Sequence, residues 1–333
     1  MNLHDGRAAG TPGRTKGGGA MRAVWLREFG GPEVLVPGAA PDPVAGEGQV
    51  LIDVAHANLT FVETQFRATG FGPFTGALPM IPGNGVGGTV AAVGPRVDPE
   101  LLGRRVISTT GGSGGYAERA TVPAAGLHLV PDGLALDAAT ALLADGRTAR
   151  LLLETAAPAP GARVLVLAAA GGVGTLLVQL AANAGLHVLA AAGGPAKLAL
   201  AAELGAAETL DYLRPDWTAG TAPVDLVLDG VGGTLGRTAT TLLRPGGSLL
   251  NYGLAGGSWT DLSAEEIEAR RITVLGLRPT PEAIRAATAH VLAEAAAHRL
   301  RPVIGRRFPL AQAADAHRAI ESRATLGKTL LDI

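Results

Sequence analysis

Three stretches of the chain differ in the spacing of their hydrophobic and polar positions. From Met21 to about Val130 the apolar runs are short and turns recur about every 8–12 residues, which predicts a compact all-β unit. From about 137 to 299, strand-like runs alternate with segments of helical spacing, which predicts a doubly wound α/β domain. A strand, a short helix and a strand follow the helix at 281–299, so we expect the chain to return to the first unit.

The most informative pattern lies at 163–186, RVLVLAAAGGVGTLLVQLAANAGL. An apolar β-branched run is followed by a glycine turn and by apolar residues at helical spacing, as in the first βαβ unit of a nucleotide-binding domain. Gly171 would let the backbone approach a pyrophosphate, and Gly174 would let the helix pack closely on the strand. The N-terminus of that helix would attract phosphate. The pattern therefore predicts a dinucleotide site.

The glycine motif alone is weak because such turns also join strands to helices in proteins that bind nothing, and its first glycine is replaced by Ala169. Two further apolar strands at 224–233 and 246–254, each ending in glycine, favour the dinucleotide interpretation.

Cofactor choice depends on the end of the second strand, where an acidic residue would bind the ribose 2′-hydroxyl of NAD. The strand at 187–194 carries no acid there and is followed by Lys197. A cation at this place suits a 2′-phosphate, so NADP is favoured. Tyr212 is a second candidate for the same phosphate. The alternative is that Lys197 is a solvated residue at the start of helix 195–205.

Composition limits the classes of function. With 333 residues, 47% hydrophobic and 17% charged, the chain has the length of about two domains and enough apolar material for two cores. A formal net charge of −1 gives no general attraction to nucleic acid or to an anionic membrane. There is no cysteine, which excludes disulfides and thiolate chemistry. Residues 1–20 are expected to be a disordered leader, and we expect no membrane span and a cytoplasmic protein.

Ten short motifs occur in an order that is typical of one superfamily. They are MRAV…EFGGPEVL, PGNGVGGTV, GGYAE, PDGL, AAAGGVG…VQLA, KL…ELGA, DGVGG, LRPGG, LRPVIGRRFPL and GKTLL. Over 21–333 the chain resembles the zinc-independent quinone oxidoreductase branch of the medium-chain dehydrogenase/reductase superfamily.

The resemblance implies an α/β fold made of a GroES-like β-rich catalytic domain and a Rossmann domain with a doubly wound parallel sheet. The catalytic domain would comprise 21–136 and 300–333. The Rossmann domain, which would bind NADPH, would comprise 137–299. It also implies a cleft between the domains and a homodimer through the edge strand at 271–277, whose apolar edge would otherwise be exposed.

Zinc is not expected. Alcohol dehydrogenases of the superfamily have a Cys and a His at the positions matching Thr60 and Asn84, and neutral Thr and Asn oxygens cannot replace thiolate and imidazole as tight zinc ligands. The seven histidines show no ligand spacing. The remaining chemistry is hydride transfer from the nicotinamide to an electron-poor carbon of a quinone or enone.

Candidate substrate residues lie in the segment 57–71 that matches the quinone reductase pattern. Thr60, Gln65 and Phe71 are candidate pocket residues, although the family usually has an Asn and two tyrosines there. Core packing at the domain interface is an equal alternative for Thr60 and Phe71. Glu63 is interpreted as a structural acceptor for backbone N–H groups rather than as a general acid.

The resemblance also assigns residues to the cofactor. They are Thr148, Gly171, Gly172, Val173, Gly174, Lys197, Tyr212, Gly230, Val231, Gly253, Leu254 and Lys328. Asp229 is expected to cap the helix that starts near Thr234.

The predicted function is an NADPH-dependent reductase of quinones or enones. The alternatives are a tailoring reductase for a bulky aromatic or polyketide intermediate, and a protein that binds NADPH without redox turnover.

Overall fold

The computed structural model describes residues 19–74 and 76–333. The predicted leader at 1–20 lies outside the described residues, apart from its last two positions.

The first unit contains a two-stranded antiparallel pair and most of a seven-stranded sheet. Its strands are β1 Ala20–Leu26, β2 Leu35–Pro41, β3 Gln49–Leu59, β4 Gly85–Val93, β5 Arg105–Thr109, β6 Arg119–Pro123 and β7 His128–Leu129. The strands β3, β4 and β5 are neighbours and run antiparallel. Their inward side chains form an apolar core that includes Val50, Ile52 and Val86.

The prediction of an all-β unit is wrong between β3 and β4, because Phe61–Thr69 form helix α1. Thr60 stands at the N-cap and Glu63 three residues later, which is the capping-box signature of a helix start. Gly70 ends the helix in the left-handed region at φ 74°, where a residue without Cβ is favoured. The hydrophobic periodicity of the sequence did not reveal this helix, because a helix of nine residues is too short to show a clear period.

The second unit is built on six parallel strands with helices on both faces. Its elements are α2 Leu136–Ala156, β8 Arg163–Leu167, α3 Gly172–Asn183, β9 His187–Ala192, α4 Pro195–Glu203, β10 Glu208–Asp211, β11 Val224–Asp229, α5 Gly233–Thr240, β12 Leu243–Asn251, α6 Ala264–Arg270, β13 Thr273–Leu275 and α7 Pro281–Ala296. The strand order β10-β9-β8-β11-β12-β13 is the doubly wound order, so this prediction is confirmed. The order reverses between β8 and β11, where a crevice for a ligand is expected.

The central strand β8 explains why its sequence is a continuous apolar run. Val164, Leu165, Val166 and Leu167 are fully buried, because helices cover both faces of the sheet. Val164 and Val166 face the core beneath α2, α3 and α7, whereas Leu165 and Leu167 face the opposite core with Val227.

The end of the chain returns to the first unit as predicted. It forms β14 Ile304–Pro309, α8 Ala313–Glu321 and β15 Lys328–Asp332. Strand β15 runs antiparallel to β3, with Thr329 opposite Leu59. Immediately before β15, the Gly327 N–H donates to the Ala170 carbonyl at 2.8 Å, so this segment also contacts the glycine turn of the second unit.

The strand predicted at 271–277 is present but shorter. Strand β13 comprises only Thr273–Leu275, and it occupies the edge of the parallel sheet with 47% of Val274 exposed. Within the described residues, no helix combines the length and the apolar character needed to cross a membrane.

Two buried polar rings connect the first unit to α8. The Tyr116 hydroxyl and His317 Nε2 lie 2.9 Å apart, and both side chains are buried. Burial, together with the nearby Arg67 guanidinium, lowers the pKa of His317 to about 3. His317 therefore stays neutral in the folded protein at a pH at which the unfolded chain would be protonated.

This difference predicts a loss of stability in acid. The unfolded chain binds the proton of His317 below about pH 6.5 and the folded protein only near pH 3, so folding stability falls as the pH drops through this window. At about pH 5, His317 alone would remove about 2 kcal/mol. Chemical unfolding of the wild type and of His317→Gln at neutral and acidic pH measures this, and we expect a flatter pH dependence in the variant. The exposed His298→Asn is the control and should keep the wild-type slope.

Candidate active site

A cleft of about 1200 Å³ lies between the two units. Its walls come from α1, α2, the turns that follow β8, β9, β11 and β12, and the segment that precedes β15. All the candidate residues from the sequence line it, namely Thr60, Gln65, Phe71, Thr148, Gly171, Gly172, Val173, Gly174, Lys197, Tyr212, Gly230, Val231, Gly253, Leu254 and Lys328. The structure therefore brings the predicted substrate and cofactor residues together in one space.

The glycine turn joins β8 to α3 at the carboxyl end of the parallel strands. A Cβ on Gly174 would lie 2.2 Å from the Ala168 carbonyl oxygen, so only glycine permits the close approach of α3 to the strand. A Cβ on Gly172 would lie 2.0 Å from Asp145 Oδ2. At Gly171, by contrast, the nearest atom is the Ala168 oxygen at 3.3 Å. The space beside Gly171 is thus less crowded by protein atoms than the space beside Gly172 or Gly174, as a site for a ligand requires.

Two positively charged side chains, Lys197 and Arg323, lie at the end of the cleft beside β9. The Lys197 ammonium donates to the Arg323 carbonyl at 2.7 Å, and the Arg323 guanidinium donates to the Ala255 carbonyl at 2.7 Å. Burial and repulsion from Arg323 lower the pKa of Lys197. Burial raises the pKa of the half-buried Tyr212 phenol, and the Arg323 charge opposes this rise. Among the residues that the structure describes, neither cation has a carboxylate partner, and two such cations beside a phenol form a site suited to an anion.

The turn after β11 is held by a buried carboxylate. Asp229 Oδ1 accepts the N–H groups of Val231 and Gly232, both at 2.8 Å, and the Thr260 hydroxyl donates to Oδ2 at 2.5 Å. The prediction that Asp229 caps a helix from Thr234 is wrong, because α5 begins at Gly233 and its first turn makes no bond to this side chain. Asp229 instead fixes the turn that places Gly230 and Val231 at the cleft.

Lys328 is a buried cation at the start of β15. Only 3% of the residue is exposed, and Nζ lies 3.0 Å from Asp145 Oδ2 on α2. The ion pair has no favourable hydrogen-bond geometry, and Nζ has no other partner in the described residues. A buried ammonium with unused N–H donors indicates that a polar ligand group would bind here.

Thr60 and Glu63 form a polar unit at the base of α1. The Thr60 N–H and hydroxyl donate to Glu63 Oε2 at 2.7 and 2.8 Å, and the Asn84 N–H donates to Oε1 at 2.9 Å. Burial raises the pKa of Glu63, while the three donated bonds and Lys328 oppose that rise. The interpretation of Glu63 as an acceptor for backbone N–H groups agrees with this geometry. The single hydrogen of the Thr60 hydroxyl is donated to Glu63. The hydroxyl oxygen can therefore only accept a hydrogen bond from a ligand in the cleft.

The outer part of the cleft carries aromatic side chains. Phe71 is 81% exposed, so the core-packing alternative for it is wrong. Gln65 is half-buried on α1. Trp259, 52% exposed, lines the cleft from the second unit. Exposed aromatic rings at a cleft indicate a surface that can cover a flat apolar ligand.

Several cleft residues were missed by the sequence interpretation. They are Asp145, Arg147, Tyr252, Trp259 and Arg323. Arg323 follows α8 and is brought to the cleft only because the chain end returns across it, which no local pattern indicates. Arg147 adjoins the predicted Thr148 on α2, so the same motif contained it. Within 19–74 and 76–333 no group of three or more His, Cys, Asp or Glu side chains that could hold a metal ion is found.

Comparison with known proteins identifies relatives of this arrangement. The family model "Alcohol dehydrogenase GroES-like domain" matches residues 46–132, and "Zinc-binding dehydrogenase" matches residues 204–331. The probable quinone oxidoreductase of Schizosaccharomyces pombe is 35% identical over 301 residues, which cover 87% of this chain and 90% of that protein.

Solved structures agree with these matches. The quinone oxidoreductase of Thermus thermophilus, whose structures include a complex with NADPH, has a TM-score of 0.82 and 35% identity. The Escherichia coli quinone oxidoreductase in complex with NADPH has a TM-score of 0.86 and 25% identity. Each alignment covers 94% of this chain and 100% of the other.

The glycine turn allows a matched pair of substitutions. Gly174→Ala forces a methyl group against backbone atoms of Ala168 and Ala169, and we expect it to cost about 1–3 kcal/mol of stability. Gly171→Ala meets only the Ala168 carbonyl oxygen, at 3.3 Å, so we expect a much smaller loss of thermal stability but weaker NADPH binding. Thermal unfolding and fluorescence titration with NADPH measure the two effects. Wild-type affinity in Gly171→Ala would contradict the assignment of this side of the turn to the cofactor.

Proposed function

The chain belongs to the zinc-independent quinone oxidoreductase branch of the medium-chain dehydrogenase/reductase superfamily, and on this basis we propose that it uses NADPH to reduce a quinone or an α,β-unsaturated carbonyl compound. One observation carries the proposal. A single cleft has a glycine turn and two cations at one end, and exposed aromatic side chains at its mouth. These are the features that a phosphorylated dinucleotide and a flat apolar substrate require.

The protein atoms present fit this cofactor. The less crowded side of Gly171 and the N-terminus of α3 would receive the pyrophosphate, and Gly172, Val173 and Gly174 would supply the surrounding backbone. Lys197, Arg323 and Tyr212 would hold the 2′-phosphate, for which two cations and a phenolic hydroxyl are appropriate donors.

The other half of the cofactor would lie along the turns after β11 and β12. Gly230 and Val231 are fixed there by Asp229, and a Cβ on Gly253 would lie 2.7 Å from the Gly230 oxygen, so the two turns pack closely. We assign Gly253 and Leu254 to the nicotinamide amide. Further along the cleft, Thr60 and Thr148 would contact the nicotinamide ribose.

The chain's contribution to the reaction is binding and orientation. When bound, NADPH supplies the hydride from nicotinamide C4. Thr60 is suited to accept a hydrogen bond from a ribose hydroxyl rather than to donate one to a substrate carbonyl, because its hydrogen is bonded to Glu63. The unused donors of Lys328 would bind a polar group of the cofactor or the substrate. Gln65 can donate to a substrate carbonyl, and Phe71 would cover the ring of a quinone.

A second candidate is a tailoring reductase that acts on a bulky aromatic or polyketide intermediate. The volume of the cleft and the exposed position of Phe71 at its mouth favour it, since both leave room for a large substrate. Rapid turnover of small quinones would count against such specialisation.

We also propose the domain boundaries 21–136 with 300–333 for the catalytic domain and 137–299 for the cofactor domain, and a cytoplasmic location.

The exposed edge of β13 supports a homodimer in which two such edges pair, because an unpaired strand edge is otherwise a site of aggregation. Sedimentation velocity of the full chain distinguishes the dimer from a monomer.

The direct test is oxidation of NADPH and NADH by the purified chain with benzoquinone, naphthoquinone, phenanthrenequinone and short enones. We expect loss of nicotinamide absorbance with at least one quinone, and faster turnover with NADPH than with NADH. Saturable NADPH binding without turnover would support a specialised substrate or a protein that binds NADPH without redox chemistry. Failure to bind NADPH would refute the proposal itself.

Cofactor choice gives a separate prediction. We expect Lys197→Ala to weaken NADPH binding by about 10–100-fold, the value of a charge-assisted hydrogen bond to phosphate, and NADH binding by much less. Titration of each cofactor into the wild type and the variant measures the difference. An equal loss for both cofactors would show that Lys197 does not bind the 2′-phosphate.

A further inference from the structure

Six charged side chains line the cleft, and all but one have a partner either in the protein or in the proposed cofactor. They belong to Asp145, Arg147, Lys197, Glu321, Arg323 and Lys328. Asp145 pairs with Lys328, and Glu321 pairs with Arg67 of α1. Under the proposed function, Lys197 and Arg323 bind the 2′-phosphate, and the pyrophosphate lies at α3. Among these described cleft residues, Arg147 is left without a partner in the protein or the cofactor.

Arg147 lies on α2 directly before Thr148, and its side chain is half-buried. Burial lowers the pKa of Arg147, and the only opposing influence is the charge of Asp145 at longer range. In the described parts of the chain, Arg147 forms neither a hydrogen bond nor an ion pair. A guanidinium has five N–H donors, so a half-buried one without acceptors lacks much of its hydration without compensation.

The neighbours of Arg147 do not supply an anion. The pKa of His128 is lowered to about 4 by burial and by the positive charges of Arg285 and Arg147. His128 is therefore neutral at pH 7, and the Arg285 guanidinium donates to the carbonyl oxygens of Ala125 and Leu127. The carboxylate of Asp145 is already engaged by Lys328 at 3.0 Å. This part of the cleft thus has an excess of positive charge.

We propose that Arg147 recognises a negatively charged group, a carboxylate or a sulfonate, on the quinone or enone substrate. The planar guanidinium can donate two parallel hydrogen bonds to such a group. The inference rests on the proposed function, because it places the anion on the molecule that is reduced. Arg147 is then a specificity-determining residue, and the cleft selects acidic quinones or enones over neutral ones.

The test compares one naphthoquinone with and without a ring sulfonate, in steady-state kinetics at saturating NADPH. We expect Arg147→Leu to lower kcat/KM for the sulfonate by at least about tenfold, through KM, and to change the neutral quinone by less than about twofold. Arg147→Lys should restore part of the difference, since it keeps the charge but not the bidentate geometry. Arg150→Leu, which removes a half-exposed arginine paired with Glu154 on the same helix, is the matched control and should affect neither substrate.

Binding without turnover separates this inference from the proposed function. Calorimetric titration of naphthoate and of neutral naphthamide into the NADPH-loaded wild type should show tighter binding of the acid, and Arg147→Leu should abolish the preference. This result would support the inference even if no quinone in a panel were reduced. Equal binding of acid and amide by the wild type would overturn it. So would an equal loss of kcat/KM for both quinones, or a rise in KM for NADPH, in Arg147→Leu.

Discussion

The cleft depends on the antiparallel pairing of β15 with β3. This pairing fixes the end of the chain to the sheet of the first unit, and the adjacent Gly327 N–H bonds the Ala170 carbonyl in the glycine turn of the second unit. Gly327 is at φ 56°, and a Cβ there would lie 2.1 Å from the Val303 carbonyl oxygen, so the crossing requires glycine. One short segment thereby holds both walls of the cleft and delivers Lys328 and Arg323 to it.

Buried carboxylates shape the site without taking part in hydride chemistry. Asp229 and Glu63 each accept three hydrogen bonds, two or more of them from backbone N–H groups of a turn or a helix start. Such bonds compensate the desolvation of the charge and hold the backbone in place. The positions of Thr60 and Val231 at the cleft follow from these side chains, so a change at either acid would act on the ligand contacts through the backbone.

The parallel sheet and the glycine turn could be predicted because their signals are local. Strand β8 and the start of α3 have a continuous apolar run, a turn and a helical period within 163–186, and the structure places them there. Helix α1 was not predicted because it is too short to show a clear hydrophobic period, although Thr60 and Glu63 carry the capping signature. Arg323 and Trp259 could not be predicted, since their place at the cleft follows from long-range packing. Phe71 was ambiguous because an aromatic side chain suits both a core and a ligand surface.

The source of the proton that a reduced quinone requires can be argued from the same contacts. The Thr60 hydroxyl already donates to Glu63, and Glu63 accepts three bonds as a carboxylate would, so neither group holds a proton aimed at the cleft. The tyrosines that the family often has at the positions of Gln65 and Phe71 are absent, and with them two phenolic donors. Phe71 is exposed and the mouth of the cleft is open. Among the described residues of the cleft, this geometry leaves the Lys328 ammonium and the Tyr252 phenol, together with solvent water, as the available donors.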